Sequence, residues 1–236
     1  MIGQLQDLSS YEAIGAIGAL GTAAFGLVDS VKAAFPFINR IGFKNIRTMA
    51  VALAPEGHTS GSAANALPQA DIVQTLEANW VNGNDLGSQK AIAKTLLKLH
   101  LSVENAAKVA ERTNVDEAML AAVAAKLHQG AELTQEESDA YGRLDLIMTA
   151  LIDEAYQRSD QVYRNGLRTL AGSTAVVLAL AGAWGLVGPQ GLTENWDWVK
   201  AVVVGLLAVP LAPVAKDLTS ALASAVNAMQ AVKVKK

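Results

Sequence analysis

The amino-acid sequence predicts an all-α fold: an integral membrane protein with three transmembrane helices and a small cytoplasmic helical bundle between the first and second span. Three observations carry that expectation. Apolar residues collect in three charge-poor blocks, 13–35, 166–188 and 199–215. The middle block contains Leu167–Val187, 21 residues with Arg168 as its one charge. As a helix it is about 32 Å long, against a hydrocarbon core of about 30 Å. The polar stretch between the first two blocks, 68–165, has helical periodicity and repeated helix-start residues.

An apolar share of 51% would also suit a soluble domain, so the segregation of those residues is the informative feature. Cysteine is absent, which excludes disulfides, thiolate metal sites and cysteine nucleophiles. The net charge of −3 says little until the charges are placed along the chain.

Residues 1–12 form a short external N-terminus without lysine or arginine, and so without the basic start of a signal peptide. The first span, 13–35, has no charge before Asp29, which stands three residues from Lys32 and can pair with it. Gly15, Gly18 and Gly21 give this helix a face of small residues, extended by Ala19, Thr22 and Gly26. In lipid such faces let backbones approach closely, and the attraction is van der Waals contact rather than hydrophobic burial. They are the expected helix-packing residues.

Pro36 closes the span, and 36–54 reads as an interfacial amphipathic helix. Arg40, Lys44 and Arg47 lie on one side as candidate contacts to lipid headgroups, with Ile38, Ile41, Ile46, Met49 and Leu53 supplying an apolar side. The stretch 55–67, rich in glycine, serine and alanine, reads as a linker.

The bundle, 68–165, ends in a long helix. Pro68 suits a first helical position, and Gly83 suits the end of a helix carrying Ile72, Leu76 and Trp80. Lys90, Lys94 and Lys98 share an edge of the next helix; a third is expected from Ser102, and a fourth capped by Asn114 and ended by Gly130. Thr134 and Glu137 have capping-box spacing, so the long helix should begin there. No proline interrupts its passage toward the lipid, and Gly166 is the expected bend. Asp71 to Asp160 holds fifteen acidic and eight basic residues, a net of −7, the wrong sign for a nucleic-acid partner.

The second span, 166–188, leads into an external turn, 189–198. Trp184, Trp196 and Trp198 gather there as a membrane-interface belt, the indole ring in apolar surroundings and its N–H wet. The third span, 199–215, is short and carries Pro210 and Pro213. Residues 216–236 form a cytoplasmic amphipathic tail, basic at Lys233, Lys235 and Lys236. With three spans, Arg40, Lys44, Arg47, Arg164, Arg168 and the tail lysines fall on one side. The excess of basic residues makes that side cytoplasmic, and places the N-terminus outside, in the plasma (inner) membrane.

The residues offer no chemistry. His58, His100 and His128 are scattered without second ligands, so no metal site is expected. Asn82–Ala93 begins like a calcium loop, but Leu86 and Ala93 stand where oxygen ligands belong. No catalytic or cofactor-binding set is visible. The expected function is a non-enzymatic membrane anchor or scaffold, whose partners are membrane lipids and further copies or members of a larger membrane assembly. A pore-forming, holin-like or transporter-subunit protein is the alternative, weakened by the lack of ionisable residues deep in any span.

Overall fold

A computed structural model of the chain describes residues 10–56, 67–194 and 196–233, and every element in them is helical. The order is α1 (Ser10–Ala34), a 3-10 turn (Pro36–Arg40), α2 (Phe43–Leu53), α3 (Gln69–Val81), α4 (Leu86–His100), α5 (Ala106–Thr113), α6 (Glu117–Gln129), α7 (Gln135–Glu194) and α8 (Asp197–Lys233). Three stretches are long and apolar enough to cross a membrane: Ala13–Ala34, part of Gln135–Gly188, and Asp197–Val214. The chain divides into two units, Pro36–Arg164 and Met1–Phe35 with Asn165–Lys236.

The first unit is a helical bundle organised around Trp80. This residue follows Ile72 and Leu76 on the buried side of α3. Its indole N–H donates to the Ile41 carbonyl at 3.2 Å, and its ring meets Tyr156 and Tyr163 edge-on at 6.4 and 5.9 Å. Gly42 enters α2 with φ +89°, and a Cβ there would collide with the Ser159 carbonyl and lie 3.3 Å from the Trp80 ring. Glycine is required at that position for both its backbone angle and its bareness.

Helix ends in the bundle follow local chemistry. The Thr134 amide donates to Glu137 Oε2 at 2.7 Å and the Glu137 amide to Thr134 Oγ1 at 3.3 Å, so both halves of the capping box form at the start of α7. Gly130 ends α6 in the left-handed region. The cap of α6 is Asp116, which accepts from the Met119 amide at 2.9 Å, rather than Asn114. Asn114 instead closes α5 at φ 51°, a left-handed conformation that asparagine tolerates better than most residues. α5 begins at Ala106, later than the expected Ser102, because Asn105 Oδ1 accepts from the Ser102 amide and holds those residues in a turn.

The segment 36–54 belongs to this bundle. Phe43, Ile46, Met49, Ala50 and Leu53 of α2 are buried in the same core as Trp80, Leu97, Leu144 and Tyr156. The apolar side expected to enter the headgroup region is thus covered by protein. Amphipathic spacing fixes which side of a helix is buried, and either lipid or a neighbouring helix can bury it.

In the second unit α1 packs along α8, with α7 beside them. The contacts are small: Ala24, Ala175 and Ala208 form one buried cluster, and Ala179, Ala183 and Ala201 another, with Leu20 against both. α7 keeps helical backbone angles through Asn165 and Gly166; its break is at Gly188, φ 71° and ψ 174°, an angle pair open to glycine. The expected turn 189–198 is mostly helical, since α7 resumes to Glu194 and α8 begins at Asp197. α8 passes through Pro210 and Pro213 without ending, although each removes a backbone donor.

Candidate functional site

The residues singled out for lipid, packing and interface contact occupy three places. Arg40, on the 3-10 turn, pairs with Glu77 of α3 at 2.8 Å. Lys44 and Arg47 stand exposed on α2, opposite the side that enters the core. The predicted basic row is therefore split into one cation engaged within the bundle and two directed to its surface.

Beside them lies a cleft of about 370 Å³ between α2, α5 and α7, lined by Asn45, Thr48, Arg112, Leu151, Glu154 and Arg158 among others. Arg112 makes no ion pair among the described residues. Arg158 is bound to Glu154 at 2.6 Å, one turn away on α7. That internal pair cancels one of the two arginine charges, so the cleft is of mixed polarity and lacks the concentrated positive charge of a phosphate site.

Some carboxylates elsewhere in the bundle are held by lysines. Lys90 pairs with Asp153 at 2.9 Å, Lys94 with Asp145 at 2.6 Å, and Lys98 also pairs with Asp145. Hydrogen bonds from Lys94 and Lys98 keep the Asp145 carboxyl below the usual carboxylate range. Lys126 and the Thr134 amide do the same for Glu137. Burial pushes the Tyr156 hydroxyl up. Each of these stabilises the group's resting state, charged for the carboxylates and neutral for the phenol, and none poises a group to exchange protons near neutrality. Among the described residues no three His, Asp or Glu side chains come together as a metal site.

The three tryptophans expected at a membrane interface are directed outward. Trp184, Trp196 and Trp198 are 60%, 68% and 45% exposed, and the last two rings stack at 6.3 Å with planes 19° apart. Trp196 has φ 56°, and its carbonyl accepts from the Val199 and Lys200 amides at the start of α8. Asp197 and Lys200 pair at 2.8 Å in the same turn.

The three glycines of α1 have different surroundings. Gly21 is pressed on α8, where a Cβ would overlap the Ala208 carbonyl oxygen and lie 2.6 Å from its carbon. Gly18 is buried, whereas a Cβ on Gly15 would meet open space. The sequence reading missed Gly205 of α8, where a Cβ would lie 2.5 Å from Val176 Cα and 2.8 Å from its amide nitrogen. A lone glycine in an apolar helix offers no periodic signal that could have marked it. Beside this seam runs an apolar groove of about 210 Å³, lined by Ile17, Leu20, Leu178, Gly182, Leu186 and Val204 among others.

Of the histidines, His128 Nε2 approaches the Leu101 carbonyl at 3.1 Å, and His100 is buried with backbone carbonyls at both ring nitrogens. His58 lies outside the described residues. Comparison with protein-family models, with characterised proteins and with solved structures finds no match to this chain.

Proposed function

We propose that the chain is a non-enzymatic multi-pass anchor or scaffold of the plasma (inner) membrane, which displays its acidic helical bundle at the cytoplasmic face and docks a protein partner or further copies of itself. The observation that carries this reading is the division into two units. The bundle has its own core around Trp80, and the spans have a separate seam of alanines. The mixed-charge cleft beside α2 is the place proposed for a docked segment. Lys44 and Arg47 are exposed and free to contact anionic headgroups, each contributing on the order of 1 kcal/mol at low salt.

The alternative, a pore-forming, holin-like or transporter-subunit protein, draws on the open space at Gly15, Gly172, Gly182 and Gly185, where a second copy could pack. Within one copy the seam is closed at Gly21 and Gly205 and its apolar groove carries no ionisable lining, which favours the anchor.

Isolation of the intact protein from native membranes, followed by native mass measurement and planar-bilayer recording, separates the two readings. The anchor is expected to appear with a bound partner or as an oligomer and to add no conductance. A ring of copies that conducts ions would overturn it. The orientation has its own test: a reporter active only outside the membrane should work when fused near Ser9 or Thr193 and stay silent at Ser62 or after Lys236. The opposite pattern would place the bundle outside the cell.

A further inference from the structure

His100 ends α4 with its ring buried. Nδ1 lies 2.7 Å from the Leu67 carbonyl oxygen, and Nε2 lies 3.0 Å from the Pro55 carbonyl oxygen. Both partners are acceptors with no hydrogen to give. A neutral imidazole has one N–H and one bare nitrogen, so in that form one of the carbonyls faces a lone pair and has no donor from the ring. Only the imidazolium donates to both.

The ring is fixed where it can act on two separate pieces of chain. Pro55 follows α2 and Leu67 precedes α3. The Asn105 side chain donates to the His100 carbonyl at 2.6 Å and anchors the residue from the α5 side. Two other side chains reach across the same region: Gln69 donates to the Ala54 carbonyl at 2.6 Å, and Lys108 to the Glu56 carbonyl at 2.8 Å.

We propose that His100 is a proton-dependent clamp between the end of α2 and the start of α3. As the imidazolium it holds Pro55 and Leu67 together; as the neutral ring it releases one of them. Histidine is the side chain whose ordinary change of charge falls between about pH 5 and 8.

Among the described residues, the elements around the ring bring these groups. From α5 come the Lys108 ammonium, occupied by the Glu56 carbonyl, and the neutral Asn105; from α3 comes the neutral Gln69. The Glu56 carboxylate follows α2 and is exposed, Glu104 is exposed, and Lys98 of α4 is turned to Asp145. Because both ring partners are backbone oxygens, side-chain rotation cannot supply the missing donor.

The test uses the full chain in detergent with ring-labelled histidine. Signals of His100 are assigned by elimination in His58→Gln and His128→Gln, and both ring nitrogens are followed by NMR from about pH 5.5 to about pH 8. Two N–H groups at the acid end and one at the alkaline end are expected. The melting midpoint should fall by several degrees over that interval, and His100→Gln should flatten the fall. A ring that keeps one protonation state throughout would overturn the clamp, as would a fall of equal size in His100→Gln.

Discussion

Gly21→Leu is expected to pull α1 and α8 apart, and Gly205→Leu to do the same for α7 and α8. Even the first carbon of a side chain at Gly21 overlaps the Ala208 carbonyl, and at Gly205 it meets Val176 backbone atoms. Backbone cannot rotate out of the way as a flexible side chain can. The cost therefore belongs at the upper end of overpacking values, about 3 kcal/mol for each. The chain has no cysteine, so a pair introduced as Ala24→Cys and Ala208→Cys, which share a buried cluster, reports the separation by crosslinking. Crosslinking should be efficient in the parent and lost with Gly21→Leu. Gly15→Leu serves as the control, since its Cβ would enter open space. Retained crosslinking in Gly21→Leu would mean that the spans do not depend on this close approach.

The second large effect is expected in the bundle. Trp80→Ala removes a side chain that is 8% exposed, the indole donor to Ile41 and the edge contacts to two tyrosines. Large-to-small changes at buried aromatic sites cost about 3–5 kcal/mol, a large share of what holds a domain of this size together. Trp80→Phe keeps most of the ring packing and loses the hydrogen bond, so a loss nearer 1–2 kcal/mol is expected. Urea unfolding followed by near-ultraviolet circular dichroism of the tyrosines would measure both. Equal losses from the two variants would show that the hydrogen bond, and not the packed ring, holds α3 to Ile41.

The features legible in the sequence were those decided by neighbours along the chain. A capping box needs only Thr134 and Glu137, three residues apart, and the helix starts there. Spans declare themselves by length and apolarity, and three such stretches are present. Contacts between distant residues were not legible. Spacing put Lys90, Lys94 and Lys98 on one edge, but their partners Asp145 and Asp153 lie far along the chain on α7. The same limit hid what covers α2, because a stripe of isoleucine and methionine looks alike whether lipid or protein lies against it. Asn114 and Asp116 are both good caps, and only the backbone decides which one serves; at Asn114 it turned left-handed. Gly166 was the expected bend, and the break falls instead at Gly188.

The seam of the spans is made of methyl groups. Ala24, Ala171, Ala175, Ala179, Ala183, Ala201, Ala208 and Ala212 are all buried. Alanine has no rotamers to lose, whereas each leucine ordered in their place would give up about 0.5–1 kcal/mol of side-chain freedom. Weak dispersion between close backbones can therefore hold the helices without a large entropic opposition. Methyl groups do not interlock, however, and a row of them resists sliding poorly. A displacement of α8 by one turn, about 5.4 Å, would still set alanine in place of alanine at one level, Ala212 where Ala208 had been or the reverse. Both glycine notches would be lost, Gly21 at Ala208 and Gly205 at Val176. The axial position of α8 is thus encoded by two side chains that are not there.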